Sequence, residues 1–303
     1  MKNAIEVQNL HKSYGDVRAV NGIGFYAEAG KLFSFLGPNG AGKSTTIDIL
    51  CTLLSRDQGD VTINGFTLGT EDEKIRQSIG VVFQDSCLDT LLTVRENMAT
   101  RAGFYYRDRG EIGKAVRNAA VAADVMAFID RPYGKLSGGQ RRRADIARAL
   151  VHTPRILFLD EPTTGLDPQT RKNVWDTIRR LQQDTGMTIF LTTHYMEEAA
   201  DSDYVVIIDN GEIAAKGTPA ELKSTYADDV LRLFSKDDEA LRKALDSEYE
   251  YKQVADQVIL RLPSTLSALP IVEKCREYIQ GFEVMRGTMD DAFIRITGKE
   301  IRE

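Results

Sequence analysis

Gly37-Pro38-Asn39-Gly40-Ala41-Gly42-Lys43-Ser44 decides the reading of this chain. The stretch fits GxxxxGK[ST], which demands two Gly, a Lys and a Ser or Thr at fixed offsets. A chain of 303 residues meets that pattern by chance about once in a hundred. The flanks supply the context the pattern requires. Lys31 to Leu36 is an apolar run readable as a buried strand, and Ser44 to Leu54 reads as a buried helix leaving the loop. Gly lets backbone N–H groups turn toward phosphate oxygens without a Cβ in the way, and the helix start adds its dipole. Gly37, Asn39, Gly40 and Gly42 then form the cradle. Lys43 reaches the β- and γ-phosphates of a nucleoside triphosphate, the Ser44 hydroxyl ligates Mg²⁺, and Thr45 adds a phosphate contact.

Two further stretches extend the chemistry. Ile156-Leu157-Phe158-Leu159-Asp160-Glu161 is four apolar residues ending in two carboxylates. It reads as a central parallel strand, buried on both faces, with acids at the end where open α/β sheets bind ligands. Asp160 is the Mg²⁺-side carboxylate. Glu161, next along the strand, leans the other way and can orient and deprotonate a water attacking the γ-phosphate. Leu136-Ser137-Gly138-Gly139-Gln140 precedes a helical pattern carrying Ile146, Ala149 and Leu150. Ser and two Gly at a helix N-terminus make a second anion-binding arrangement. One chain thus has one triphosphate loop and two such helix starts. The second binds something else or grips the nucleotide of another copy.

Composition narrows the setting. Apolar residues at 42%, charged residues at 28% and only 8 Pro describe a globular protein with room for a large domain and a smaller one. A net charge of −6 argues against nonspecific nucleic-acid binding as the main task. Cys51, Cys87 and Cys275 are odd in number and scattered, which fits a reducing compartment without structural zinc. The N-terminus shows no apolar signal region, and no run approaches 18 apolar residues, so membrane work would need another chain. Arg141-Arg142-Arg143 reads as a solvated helix face, and His11 and His152 as surface or cap residues.

The loop, Leu136–Gln140 and the ILFLDEP stretch, in that order and spacing, resemble the ATP-binding cassette of ABC transporters over roughly residues 3–225. The resemblance implies a RecA-like P-loop NTPase of the α/β class. Such a fold has a parallel sheet, an antiparallel β subdomain and an inserted helical subdomain at about residues 88–152. It further implies that two cassettes close head-to-tail over two ATP, with Ser137, Gly138, Gly139 and Gln140 gripping the γ-phosphate of the other copy. Tyr14 matches the aromatic stacked on adenine. Gln84 matches the glutamine that senses Mg²⁺ and the attacking water. Asp167, in Gly165-Leu166-Asp167, matches the loop crossing the dimer interface, and His194 matches the switch histidine on the γ-phosphate and the water of Glu161. The region from Glu96 to Tyr106 reads as helix packing; in the family it meets the membrane subunit.

After the hairpin signal at Asn210-Gly211 and a polar stretch, residues 226–303 show a new pattern. Strands at Val230–Phe234, Tyr249–Val254, Val258–Leu262 and Phe282–Met285 and helices at Asp238–Leu245 and Leu266–Ile279 give the order βαββαβ, a ferredoxin-like α+β appendage. A short amphipathic helix follows from Met289 to Gly298. This ending resembles the drug-resistance, ABC-2 type exporter ATPases. The expectation is a peripheral ATPase on the cytoplasmic face, pairing with a second copy and with a membrane permease, using ATP and Mg²⁺ and no nucleic acid. A soluble relative acting on ribosomes or nucleic acid, or an importer ATPase, stays open. Against the soluble alternative, the chain holds one cassette and no sustained heptads between the loop and Leu136.

Overall fold

The computed structural model describes residues 3–245, 249–255 and 257–298. The chain divides into two compact units, Met1–Thr218 and Pro219–Glu303. The division falls before the helix that opens the tail, seven residues earlier than the sequence boundary after residue 225.

The first unit opens with two long strands, β1 (Asn3–Tyr14) and β2 (Val17–Glu28), followed by β3 (Leu32–Leu36) and α1 (Lys43–Leu50). Next come β4 (Gln58–Ile63), β5 (Phe66–Thr67), α2 (Asp72–Ser78) and β6 (Ile79–Val82). Helices α3 (Val94–Ala102), α4 (Arg109–Ala122) and α5 (Gly138–Leu150) precede β7 (Ile156–Asp160). The unit ends with α6 (Pro168–Thr185), β8 (Thr188–Thr193), α7 (Met196–Ala200), β9 (Tyr204–Asp209) and β10 (Glu212–Gly217). Helix α1 ends four residues before the expected Leu54, and Leu53 is solvent-exposed.

A six-stranded sheet in the order β10-β9-β3-β8-β7-β6 forms the centre. Its pairs are parallel except β10, which returns antiparallel from β9 through the Asn210-Gly211 turn. Strands β3, β7 and β8 are buried at every position. The strand period of two splits each between two cores. Leu157, Leu159, Ile189 and Leu191 face a core shared with α3, α4, α5 and α6. Phe33, Phe35, Phe158 and Phe190 face the other, shared with α1 and the antiparallel sheet β2-β1-β4-β5. There Phe25 from β2 stacks on Phe33 at 5.4 Å, and Phe33 on Phe190 at 4.9 Å. A parallel sheet sandwiched in this way points all its carboxyl ends at one edge, and that edge holds the site.

The second unit is α8 (Pro219–Tyr226), β11 (Asp229–Ser235), α9 (Asp238–Leu245), β12 (Tyr251–Val254), β13 (Gln257–Leu262), α10 (Ala268–Cys275), β14 (Ile279–Met285) and α11 (Met289–Thr297). Its four strands pair antiparallel in the order β12-β13-β11-β14, the split β-α-β arrangement expected of βαββαβ. Leu231, Leu233, Val258, Leu260 and Leu262 alternate onto a core closed by Leu241 and Leu245 of α9 and Ile271 and Cys275 of α10. Helix α10 is shorter than expected because single 3₁₀ turns flank it.

Candidate active site

The loop between β3 and α1 turns tightly against β2. Gly42 has φ 106, and a Cβ there would stand 2.3 Å from the Ala19 carbonyl oxygen, so both conformation and space demand Gly. Helix α1 begins at Lys43 with no side-chain cap, leaving its first N–H groups for a ligand. Lys43 is buried; its Nζ donates to the carbonyls of Gly37 (2.8 Å) and Pro38 (3.1 Å) and stands 3.4 Å from Glu161 Oε1. Burial lowers the Lys43 pKa, opposed by the charges of Glu161 and Asp160. Ser44 is exposed at the first turn.

Strand β7 delivers Asp160 and Glu161, both buried, to the sheet edge. The Thr192 hydroxyl on β8 donates to Asp160 Oδ1 at 2.5 Å and accepts from the Glu161 N–H at 3.0 Å, locking the two acids to the neighbouring strand. Burial raises the Asp160 pKa; Glu161 adds to the rise, while Thr192, Lys43 and Ser44 oppose it. Glu161 has left-handed backbone, φ 43, which a non-Gly residue keeps only when its surroundings enforce it. Its carboxyl accepts from Thr164 Oγ1 at 3.0 Å and lies 3.3 Å from His194 Nδ1, off the axis of a hydrogen bond. The Glu161 pKa falls to about 2, drawn down first by His194, against burial, and then by Lys43 and Thr164. The His194 ring packs tilted against Tyr195, centres 4.2 Å apart, and the Tyr195 ring carries the Arg171 guanidinium at 3.7 Å.

The geometry therefore gathers Lys43, Asp160, Glu161 and His194, with Ser44 beside them. Gln84 follows β6 on the same sheet edge with its side chain exposed. Tyr14 ends β1 at the tip of the hairpin whose other strand passes the loop at Ala19; its ring is 51% exposed, with Lys12 Nζ 5.8 Å from its centre. Ser137 and Gln140 are engaged with each other as a capping box at the start of α5. Gly138 and Gly139 pack against Leu166 and Thr170, and Asp167 caps α6 by accepting from the Thr170 N–H at 3.0 Å. Among the described residues no hydrogen bond or ion pair joins Ser137–Gln140 or Asp167 to Lys43, Asp160 or Glu161.

Some contributors escaped the sequence reading. Arg142 is not on a solvated face: it is 7% exposed, and its guanidinium donates to five main-chain carbonyls at the sheet edge. Arg141 and Arg143 do face outward, onto the Leu136 carbonyl and Asp124. Thr192 was unremarkable in a β-branched strand. Buried Glu198 accepts from Thr163 and, at 2.6 Å, from Thr193, bracing the turns that carry Glu161 and His194. Half-buried His152, expected at the surface, stacks on Tyr105 with ring centres 4.2 Å apart.

With this geometry in view, the comparisons with known proteins are direct. The ABC transporter family profile matches residues 20–164. The chain is 36% identical to Nod factor export ATP-binding protein I of Burkholderia orbicola, over 99% of this chain and 98% of that protein. It is 37% identical to the daunorubicin/doxorubicin resistance ATP-binding protein DrrA of Streptomyces peucetius, over 97% and 92%. The chain belongs to the ATP-binding subunits of ABC transporters. It is an ATP-binding and ATP-hydrolysing protein of the type found in exporters. Among solved structures, cbiO1 of Clostridium perfringens, part of the ABC transporter complex cbiONQ, superposes with a TM-score of 0.69 at 29% identity, covering 81% of this chain and 95% of that one. A dimeric post-hydrolysis cassette bound to ADP and Pi gives 0.64 at 29% identity, over 71% and 98%. Among the described residues no helix of this ABC ATPase is long and apolar enough to cross a membrane.

Proposed function

We propose that this ABC ATPase is a peripheral subunit on the cytoplasmic face of a membrane, where two copies close over two ATP and drive export through a separate integral membrane subunit. The observation that carries the chemistry is the Glu161 carboxylate lying between Lys43, at 3.4 Å, and His194, at 3.3 Å. The exposed Tyr14 ring is free to stack on adenine. The open N–H groups of α1 and the loop receive the phosphates, and Lys43 exchanges its carbonyl partners for phosphate oxygens. That exchange withdraws one of the charges holding down the Glu161 pKa, so the carboxylate becomes a better proton acceptor for the attacking water once substrate is in place. His194 and Gln84 orient that water.

Ser44, Gln84 and Asp160 offer hydroxyl, amide and carboxylate oxygens, a donor set suited to a hard divalent cation, and Asp160 and Glu161 together outnumber the single charge of Lys43. These residues would hold Mg²⁺, which neutralises charge on the phosphate oxygens when bound. Ser137, Gly138, Gly139, Gln140 and Asp167 form a second anion-ready surface not joined to the first, which supports their acting on the nucleotide of the partner copy. The exposed Phe104 side chain, in the 96–106 segment and 77% exposed, suits docking of the membrane subunit. The full set of residues in one chain allows a homodimer, as it allows pairing with a different cassette. Two groups of relatives, one named for Nod factor export and one for daunorubicin resistance, support export as the direction. The test is purification of the Glu161→Gln chain with ATP and Mg²⁺ from its native membranes. An integral membrane protein accompanying it bears out the proposal; ribosomes, nucleic acid or no partner would move the function to the soluble class.

A further inference from the structure

The carboxyl ends of β6 and β7 pose a problem of backbone chemistry. Their pairing with each other ends at Val82 and Leu159, although Asp160 still pairs with Thr192 of β8, and beyond that point the carbonyls on this side run past the ladder into the interior. Buried carbonyls need donors, and a guanidinium offers five N–H in a rigid fork. Arg142 meets them all. Its Nε donates to Pro162 O at 2.6 Å, its Nη1 to Phe83 O at 2.5 Å and Gln84 O at 3.5 Å, and its Nη2 to Asp160 O and Glu161 O at 2.8 Å each. One side chain thus ties the segment leading to Gln84 to the segment carrying Asp160 and the left-handed Glu161.

Arg142 stands on α5, five residues after its N-cap Ser137. One turn further along, buried Asp145 accepts from Ser86 Oγ at 2.6 Å and from the Tyr133 hydroxyl at 3.3 Å. Ser86 lies two residues beyond Gln84, and Tyr133 four before Ser137. The Gln84 segment is therefore held on both sides from one helix: at Phe83 by Arg142 and at Ser86 by Asp145. Asp145 is also the first-ranking charge that supports the buried Arg142 cation against its loss of solvent.

We propose that Arg142, with Asp145, is a positioning residue for ATP hydrolysis: it fixes the backbone bearing Gln84, Asp160 and Glu161 to the helix that begins at Ser137. The inference rests on the roles proposed above for Glu161 and Gln84. A shift of α5, when its N-terminus takes up the γ-phosphate of the partner copy, moves the water-activating carboxylate and Gln84 with it. Lysine cannot replace the fork, since one ammonium cannot span five carbonyls.

Steady-state ATPase assays on the full chain test this, with ATP affinity read separately by titration of a fluorescent ATP analogue. Arg142→Lys should lower kcat by about 10²-fold, the scale of a misplacement of about 1 Å, with analogue affinity and KM within about twofold. Ser86→Ala removes one exposed arm without disturbing the core; it should lower kcat several-fold at unchanged KM and melting temperature. In a Gln84→Ala background Ser86→Ala should add nothing, because it works through Gln84. For Ser86→Ala a purely structural role would instead lower the melting temperature, or add in full in that background, and either result overturns the proposal. Glu161→Gln is the reference. If it is inactive while Arg142→Lys and Ser86→Ala turn over normally, the positioning inference alone falls. If Glu161→Gln itself turns over normally, the reading of the site falls and the inference with it.

Discussion

Glu161 combines a left-handed backbone with a low pKa. The residue is threaded between groups that all favour its ionised form: His194, Lys43 and Thr164 outweigh burial and bring it to about 2. On the function proposed above, substrate relieves this weak base when Lys43 turns from the Gly37 and Pro38 carbonyls to phosphate oxygens. The order of causes gives an expectation. His194→Ala should raise the Glu161 pKa from about 2 toward its ordinary 4.5, and Lys43→Met by a smaller step. Carboxyl ¹³C chemical shifts of Glu161 titrated by NMR read this directly; no movement in His194→Ala would remove the histidine from the site's electrostatics. The charged residues here were legible because each sits in a contiguous motif or at a strand end of fixed spacing. Thr192 and Glu198 were not, because a Thr in a β-branched strand and a Glu in a short helix gain their meaning only from strands that pair across the fold.

Helix α5 shows what one element can combine. Its N-terminus is a capping box of Ser137 and Gln140, its inner face carries Arg142 and Asp145, and its Gly139 lies against α6. A Cβ at Gly139 would come 2.3 Å from the Thr170 methyl. Gly139→Ala should therefore destabilise the protein by about 1–3 kcal/mol through overpacking. Adding Thr170→Ser removes that methyl but keeps the hydroxyl near Asp167, and should restore most of the loss; urea midpoints of the three proteins decide it. The buried Arg142 had a sequence signal. It falls four and seven residues before Ile146 and Ala149, on the apolar face of the helix, but in a run of three arginines composition hides phase. The same helix leads to His152, whose Nε2–H donates to the Ile79 carbonyl at 2.9 Å and which is held neutral, with a pKa of about 4, by burial and then by Arg101 and Arg148. Its folded pKa lies below the unfolded 6.5, so its contribution to stability is full above that pH. The contribution is lost as pH falls toward 4, with a limiting slope of about 1.4 kcal/mol per pH unit. His152→Phe, which keeps the stack on Tyr105, should flatten the stability profile in that window by the same amount. An unchanged slope would mean that His152 takes up its proton alike in the folded and unfolded chain.

For the whole molecule, the tail was readable at the level of element order because short strands and helices alternate with clear periodicity. Its division from the cassette was less so: α8 joins the second unit through packing on α11, which lies far along the chain. The cassette was legible for a different reason. Its chemistry sits in loops at one sheet edge, each a short contiguous string, and the parallel strands beneath them are continuous apolar runs. The central claim is that one chain holds half of each site, with Ser137–Gln140 and Asp167 serving the nucleotide on another copy. Light scattering on purified Glu161→Gln protein tests it most directly. With ATP and Mg²⁺ the account predicts a shift from one copy to two, reversed when Ser137→Arg blocks the start of α5. A Glu161→Gln chain that binds ATP yet stays a single copy would contradict it.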